Sequence, residues 1–191
     1  MRLRPFARGR HVLAMVLTSV LIVGCGQEVA PTPTPMEAAA SADEFAAAWC
    51  SSLKALVRAI GNPDTGSDSE LSAAFDAAIQ GGDATEVQRL AAAMTAELST
   101  GRQHAAVAAG WEPGSAAAGA VDRVLLAFGA MVEAKRAGAG DGLAAADARA
   151  QSALEQAGGL AAWVAMLEAA RALPPDVIQQ LEDCRPWDEA A

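Results

Sequence analysis

The sequence predicts an all-α fold, a compact bundle or array of about six to seven Ala-rich helices, on three observations. Of the 191 residues 52% are hydrophobic but only 4% aromatic, and Ala accounts for about half of the hydrophobic ones. This composition favours helix over strand and is too apolar for a disordered chain. Beyond residue 40 the larger apolar residues recur at spacings of three and four, the period of a helix face. No run alternates β-branched with polar residues, so strands are not expected.

The first helix is predicted to begin at Ser41, a residue type that caps helix N-termini. Asp43 and Glu44 follow in the first turn, where acidic side chains are favoured by the helix dipole. One face carries five large apolar residues, namely Phe45, Trp49, Leu53, Leu56 and Ile60. The turn-forming residues at 61–66 then end this helix.

Two further helices are expected in the next forty residues. The second is predicted to be capped by Ser67 or Asp68 and to end at the glycine pair 81–82, and the third to be opened by Asp83 or Thr85. Their apolar faces comprise Leu71, Phe75 and Ile79 in the second helix and Val87, Leu90, Met94 and Leu98 in the third. Both faces have helical spacing and are expected to enter the core.

Four more helices are expected after a corner at residues 111–114. The fourth ends in the glycine-rich stretch 138–142, and a fifth, mostly Ala, spans 143–156. A sixth is stopped by the prolines at 174–175, and a short seventh spans 176–183. The expected core faces are Val121, Val124, Leu125, Phe128 and Val132 in the fourth helix and Trp163, Met166, Leu167 and Ala170 in the sixth.

Residues 1–24 have the organisation of an export signal peptide. A stretch with four Arg and no acidic residue precedes an apolar run from Val12 to Val23. This run has twelve residues, whereas a membrane-spanning helix needs about 20. The pattern therefore favours a cleaved signal over a signal anchor or a buried helix. The absence of an Arg-Arg pair favours the general secretory route over the twin-arginine route.

The end of this signal resembles the lipobox of bacterial lipoproteins, in which an aliphatic residue and two small or aliphatic residues precede a cysteine. Ile22, Val23, Gly24 and Cys25 match that pattern position by position. The resemblance implies cleavage between Gly24 and Cys25, a diacylglyceryl group on the Cys25 thiol and anchoring to the outer face of a bacterial membrane. That membrane is the cytoplasmic one, or the outer one if the source has two. The resemblance covers the signal alone, and no family is recognised for the mature domain.

The chain beyond the signal divides into a tether, residues 25–40, and a helical domain, residues 41–191. The tether has alternating prolines that favour an extended polyproline II conformation, and Thr32 and Thr34 between them are candidates for glycosylation. Cleavage would remove four Arg and no acidic residue, which lowers the net charge from -9 by four to -13. A domain this acidic is a poor non-specific binder of nucleic acid, and its membrane attachment would come from lipid.

Cys50 and Cys184 remain if Cys25 carries lipid, and export would place them where disulfides form. We expect a disulfide that joins the first helix to the last. Two buried free thiols or a redox-active pair are the alternatives. The redox-active pair has little support, because the two cysteines do not form a Cys-x-x-Cys motif and no His or Lys is adjacent to either.

The mature sequence carries no recognisable catalytic or metal-binding motif, and no cofactor is expected. Its one histidine, His104, cannot form a multi-His metal site and is most simply a surface residue. A sharper hypothesis places Arg102, His104 and Trp111 around a ligand-binding cleft. Carboxylates are plentiful, but no spacing singles out a catalytic pair.

We therefore expect a lipid-anchored extracytoplasmic domain that binds an envelope protein or a small ligand. The alternative is an envelope enzyme or accessory subunit with an unrecognised carboxylate site. A polar cleft that gathers two or more carboxylates with Arg102 or His104 would favour the alternative. A filled helical bundle with one exposed apolar patch would favour the binding domain.

Overall fold

The computed structural model describes residues 40–62 and 65–184. The signal peptide, the lipobox cysteine and the tether up to residue 39 lie outside these residues. Within them the chain forms seven α-helices: α1 (Ala42–Ile60), α2 (Glu70–Gly81), α3 (Ala84–Ala108), α4 (Ser115–Gly138), α5 (Leu143–Gln156), α6 (Gly159–Arg171) and α7 (Pro175–Asp183). The only β-type pairing among the described residues is an isolated bridge between Asn62 and Ser67. The predicted all-α array is confirmed.

Serine and aspartate side chains begin the first and third helices as the sequence predicts. Ser41 and Glu44 form a capping box, in which Ser41 Oγ accepts from Glu44 N–H at 3.2 Å and Glu44 Oε2 accepts from Ser41 N–H at 2.7 Å. These hydrogen bonds hold the pKa of Glu44 below its usual value. Asp83 caps α3 by accepting from the N–H groups of Thr85 and Glu86.

The predicted cap of the second helix is wrong by one or two residues. Ser69 is the N-cap of α2, and its Oγ accepts from Ser72 N–H at 3.0 Å. The same hydroxyl donates to Ala59 O of α1 at 3.2 Å, so it also links the two helices. Ser67 belongs to the preceding turn instead, where its carbonyl accepts from Asn62 N–H and its hydroxyl pairs with that of Thr65.

The core lies between α1, α3 and α4, with α2, α5, α6 and α7 packed around them. α4 contacts α3 as well as α5 and α6, and α7 rests on α1. Four of the five residues predicted for the core face of α1 are buried, and the fifth, Ile60, is half-buried. The largest fully buried side chains are Phe45, Phe75, Leu56, Met94 and Leu125. The interior of the described domain is therefore filled with apolar side chains.

Small residues set the close approach of the central helices. Gly101 of α3 lies where α1 and α4 meet, and a Cβ there would be 3.1 Å from Cβ of Ala55 and 3.2 Å from the Leu125 side chain. The stretch Glu112–Asp141, which includes α4, is long and apolar enough to cross a membrane by length and composition, and its most apolar 18 residues have a mean hydropathy of 1.5. Its packing against three helices accounts for that composition, because a helix buried on several sides is apolar on several sides.

Candidate functional site

The three residues predicted to surround a cleft have other surroundings in the structure. Arg102 forms an exposed ion pair between α3 and α4, with Nε 2.7 Å from Asp122 Oδ1. Trp111 packs its ring against Phe45, with the ring centroids 5.0 Å apart. His104 is half-buried on α3. None of the three lines any of the four clefts described below, so a ligand role for them stays a prediction.

Cys50 and Cys184 form a disulfide, the pairing that the sequence predicts. It joins α1 to the residue that follows α7, with a Cα–Cα distance of 5.9 Å. A hydrogen bond from Gln180 Nε2 to Asp43 Oδ1, 2.9 Å long, provides a second link between the same two helices. The last helix is thus fixed along α1 at two points.

An ion cluster joins three helices and bears on the enzyme alternative. Nζ of Lys135, on α4, lies 2.5 Å from Oδ1 of Asp76 on α2 and 2.8 Å from Oδ1 of Asp147 on α5. The Lys135 side chain is only 13% exposed. Oδ1 of Asp76 is buried, and the Lys135 ammonium is the group that compensates its charge. No sequence spacing signals this cluster, because its members come from distant helices.

The pKa of Lys135 is raised above its ordinary value. Burial alone would lower it, but the interactions with Asp147 and Asp76 outweigh the loss of hydration. A lysine that is protonated at neutral pH cannot accept a proton there, and the two carboxylates beside it are engaged as its counter-ions. The cluster is therefore suited to fastening helices rather than to acid–base chemistry. Among residues 40–62 and 65–184 no group of three or more His, Cys, Asp or Glu side chains could hold a metal ion.

An exposed apolar stripe on α6 is the feature that the packing of the bundle does not explain. Leu160, Val164 and Leu167 are 77%, 45% and 39% exposed. Spacings of four and three place them in one line along the helix, each next to the following one. We call this line the α6 ridge. The buried face of α6 consists instead of Gly159, Ala162 and Met166.

The sequence prediction for α6 is wrong at Leu167, which was expected to face the core with Met166. α6 packs on α4 and buries Gly159, Ala162 and Met166, while Leu160 and Leu167 remain exposed. A signal for this was present, because α6 has thirteen residues and only two of them, Glu168 and Arg171, are charged. A helix that is apolar nearly all round must have either a second buried face or an exposed apolar one.

Two grooves flank the α6 ridge. The first, about 360 Å³, lies between α4 and α6, and we call it the α4–α6 groove. On the α6 side its wall consists of small residues, among them Ala157, Gly158, Ala161 and Ala165. On the α4 side it includes two longer side chains, Arg123 and Leu126. Leu126 is 47% exposed there. The second groove, about 300 Å³, lies between α1, α6 and α7 and includes Leu53, Met166 and Leu181.

Two further clefts, of about 480 and 430 Å³, lie beside α3 and α4. Gln88 and Arg136 line both of them. Arg136 donates from Nε to Glu133 at 2.9 Å and from Nη1 to Gln88 at 3.1 Å, so these polar groups already bind each other. Neither cleft gathers carboxylates with Arg102 or His104.

No protein-family model, curated protein or solved structure gives a significant match to this chain.

Proposed function

We propose that the mature chain is a lipid-anchored, non-enzymatic protein-binding domain at the outer face of a bacterial membrane, and that the α6 ridge is its docking surface. The observation that carries the proposal is the exposure of Leu160, Val164 and Leu167 in one line on an otherwise filled bundle. Contiguous exposed apolar surface of this kind marks interaction sites in soluble domains.

The energetics support a docking role. Fully burying an exposed leucine or valine side chain is worth about 1.5–3 kcal/mol, so covering the ridge would supply several kcal/mol. Leu160 is the most exposed of the three at 77% and gains most from being covered. Arg123, Glu168 and Arg171 surround the ridge and form no ion pair with another described residue. Their charges are available to orient a partner.

The enzyme alternative has weaker support. The cluster centred on Lys135 brings two carboxylates to one ammonium, and its charges compensate one another. It lies apart from Arg102 and His104, the residues predicted from sequence to accompany a carboxylate site. A binding role is better supported, because the described domain presents an exposed apolar surface, the α6 ridge.

Anchoring by lipid is tested by replacing Cys25 with serine. We expect the Cys25→Ser chain to remain an unprocessed precursor and to incorporate no labelled palmitate, because the thiol that would receive the diacylglyceryl group is missing. Gel mobility and palmitate labelling in a bacterial host measure this. The matched control is Cys184→Ser, which should be labelled normally. Normal processing and labelling of the Cys25→Ser chain would contradict the lipoprotein assignment.

The docking surface is tested by photo-crosslinking in intact cells that express the full chain. A photoreactive amino acid at position 160 is expected to form discrete protein adducts. The same group at Val107, an exposed apolar residue of α3 that is 57% accessible, should not. Replacing Val164 with Glu should remove the adducts from position 160 while the melting temperature stays unchanged, because Val164 is 45% exposed. Equal adducts at both positions, or none at either, would refute the docking role.

A further inference from the structure

We propose that the partner of the α6 ridge is the α6 ridge of a second copy of this chain, paired antiparallel about a two-fold axis near Val164. The inference rests on the proposed function, since it names the partner of the same surface. A two-fold interface requires a surface that is complementary to itself. The ridge and its surroundings meet that requirement in shape and in charge.

The shape is self-complementary because the ridge lies beside a groove. Leu160, Val164 and Leu167 project from the helix, while the adjoining α4–α6 groove is walled by Ala157, Ala161 and other small residues. The ridge of each copy can therefore lie against the α4–α6 groove of the other copy. Packed helices make the same kind of contact when the side-chain ridges of one helix enter the grooves of its neighbour. With Val164 at the axis, Leu160 of one copy lies opposite Leu167 of the other.

The charges are self-complementary in the same orientation. Arg123 lines the groove beside the first turns of α6, whereas Glu168 lies one turn beyond Val164 on the side of α6 that faces this groove. Antiparallel pairing brings Glu168 of the second copy to the first turns of α6, within the field of Arg123. It also brings Arg171 of the second copy towards Glu155 at the end of α5.

The start of α6 offers further compensation for the approaching carboxylate. Its N-cap is Gly158, and no side chain caps the free N–H groups of its first turn. These groups carry the positive end of the helix dipole, which favours a carboxylate there. Arg123 and the free N–H groups at the start of α6 thus lie on the same part of the surface, where Glu168 of the second copy would be placed.

Other occupants fit less well. A lipid surface is disfavoured because the mature chain has a net charge of -13 after the signal's four arginines are removed from -9, and bacterial lipid surfaces are commonly anionic. A foreign protein would have to be complementary to this surface. Its binding would not explain why the surface is also complementary to itself in shape and charge. α6 is about 20 Å long, so the interface is smaller than the roughly 800 Å² per partner of a stable complex. We therefore expect a reversible pair.

The test uses two full-length copies with different epitope tags, expressed together in a bacterial host, with a photoreactive amino acid at position 164. An adduct that has twice the mass of the chain and carries both tags is expected. Leu160→Glu should lower its yield about thirtyfold or more, since it places a charge against the apolar side chain of Leu167 in the other copy. Val107→Glu, the same change at an exposed apolar residue of α3, should leave the yield unchanged.

A charge exchange separates specific pairing from apolar adhesion. Arg123→Glu alone and Glu168→Arg alone should each lower the yield of the doubly tagged adduct about fivefold, since each creates a like-charge contact. The chain that carries both substitutions should recover the yield, because opposite charges face each other again. A double variant weaker than either single one would overturn the proposal.

The remaining outcomes distinguish this inference from the proposed function. Adducts from positions 160 and 164 that contain a different protein and never both tags would refute self-pairing and leave the docking surface intact. No adduct from either position would refute both proposals. All the variants change exposed side chains, and melting temperatures equal to that of the original chain will show that their folding is unaltered.

Discussion

Replacing Cys50 and Cys184 together with serine is expected to lower the free energy of unfolding by about 4–5 kcal/mol. The disulfide closes a loop with a sequence separation of 134 residues. In the chain-entropy model a cross-link over a loop of about 100 residues stabilises by roughly 4.7 kcal/mol, because it removes conformations from the unfolded chain. This is a large share of the roughly 5–15 kcal/mol that stabilises a typical domain.

The loss should begin at the C-terminal helix. α7 has nine residues, too few to be stable as an isolated helix, and Val177 is its one fully buried side chain. With the cross-link gone, the hydrogen bond from Gln180 to Asp43 still connects α7 to α1, but it is exposed to solvent. Release of α7 would expose Leu53 and the rest of the groove between α1, α6 and α7.

Urea unfolding of the full chain, with and without reductant, measures the effect. The midpoint should fall on reduction and by the same amount in the Cys50→Ser, Cys184→Ser variant. Reductant should have no further effect on that variant, which is the control for unrelated actions of the reagent. Limited proteolysis should cut first near α7 in the reduced chain. Identical midpoints for the oxidised and reduced chains would show that the cross-link does not stabilise the domain.

Much of this fold follows from short-range signals in the sequence. The face of α1 from Phe45 to Leu56 is predicted correctly because helical spacing selects one apolar side, and Ser41 and Asp83 start helices through bonds to residues two or three positions away. The cap of α2 is different. Ser67 is engaged in the preceding turn, and Ser69 also donates to Ala59 of another helix, a contact that no local pattern reveals.

The candidate site depends almost wholly on long-range packing. α6 is apolar on most of its surface, so its sequence does not say which side faces α4, and Leu167 was assigned to the core for that reason. The choice is made by tertiary packing, in which Ala162 and Met166 are buried and Gly159 lies so close to Leu154 of α5 that a Cβ would not fit. The disulfide was predicted because Cys50 and Cys184 are the pair left if Cys25 carries lipid, whereas the Lys135 cluster joins three helices and has no signature in the sequence.

Replacing Lys135 with methionine is expected to lower the free energy of unfolding by about 2–3 kcal/mol. Methionine keeps the length of the side chain but removes the ammonium, and the buried Oδ1 of Asp76 is left without its compensating charge. Breaking a fully buried ion pair by removing one partner costs about 3–5 kcal/mol, and the partial exposure of this cluster reduces that figure. Chemical denaturation at neutral pH measures the loss.

The two aspartates should contribute unequally. The Asp147 side chain is 51% exposed, so Asp147→Asn should cost less than about 1 kcal/mol, as for other surface pairs, and it serves as the matched control. The Asp76 side chain is 26% exposed and should account for most of the effect. Combining Lys135→Met with Asp76→Asn should therefore recover much of the lost stability, because the carboxylate that is left unpaired, Asp147, is half exposed to water. Simple addition of the two losses would show that the pair is not coupled.

The pH dependence gives an independent check of the same cluster. Because the pKa of Lys135 is raised on folding, its contribution is complete below the ordinary value of 10.5 and is lost as the pH rises through the folded-state pKa. The stability gap between the original chain and Lys135→Met should thus be constant from neutral pH to about pH 10 and should narrow only above that. A gap that narrows already between pH 7 and 9 would mean that Lys135 loses its proton easily. Lys135 would then be available as a base. The conclusion that this cluster fastens helices and takes no part in acid–base chemistry would be wrong.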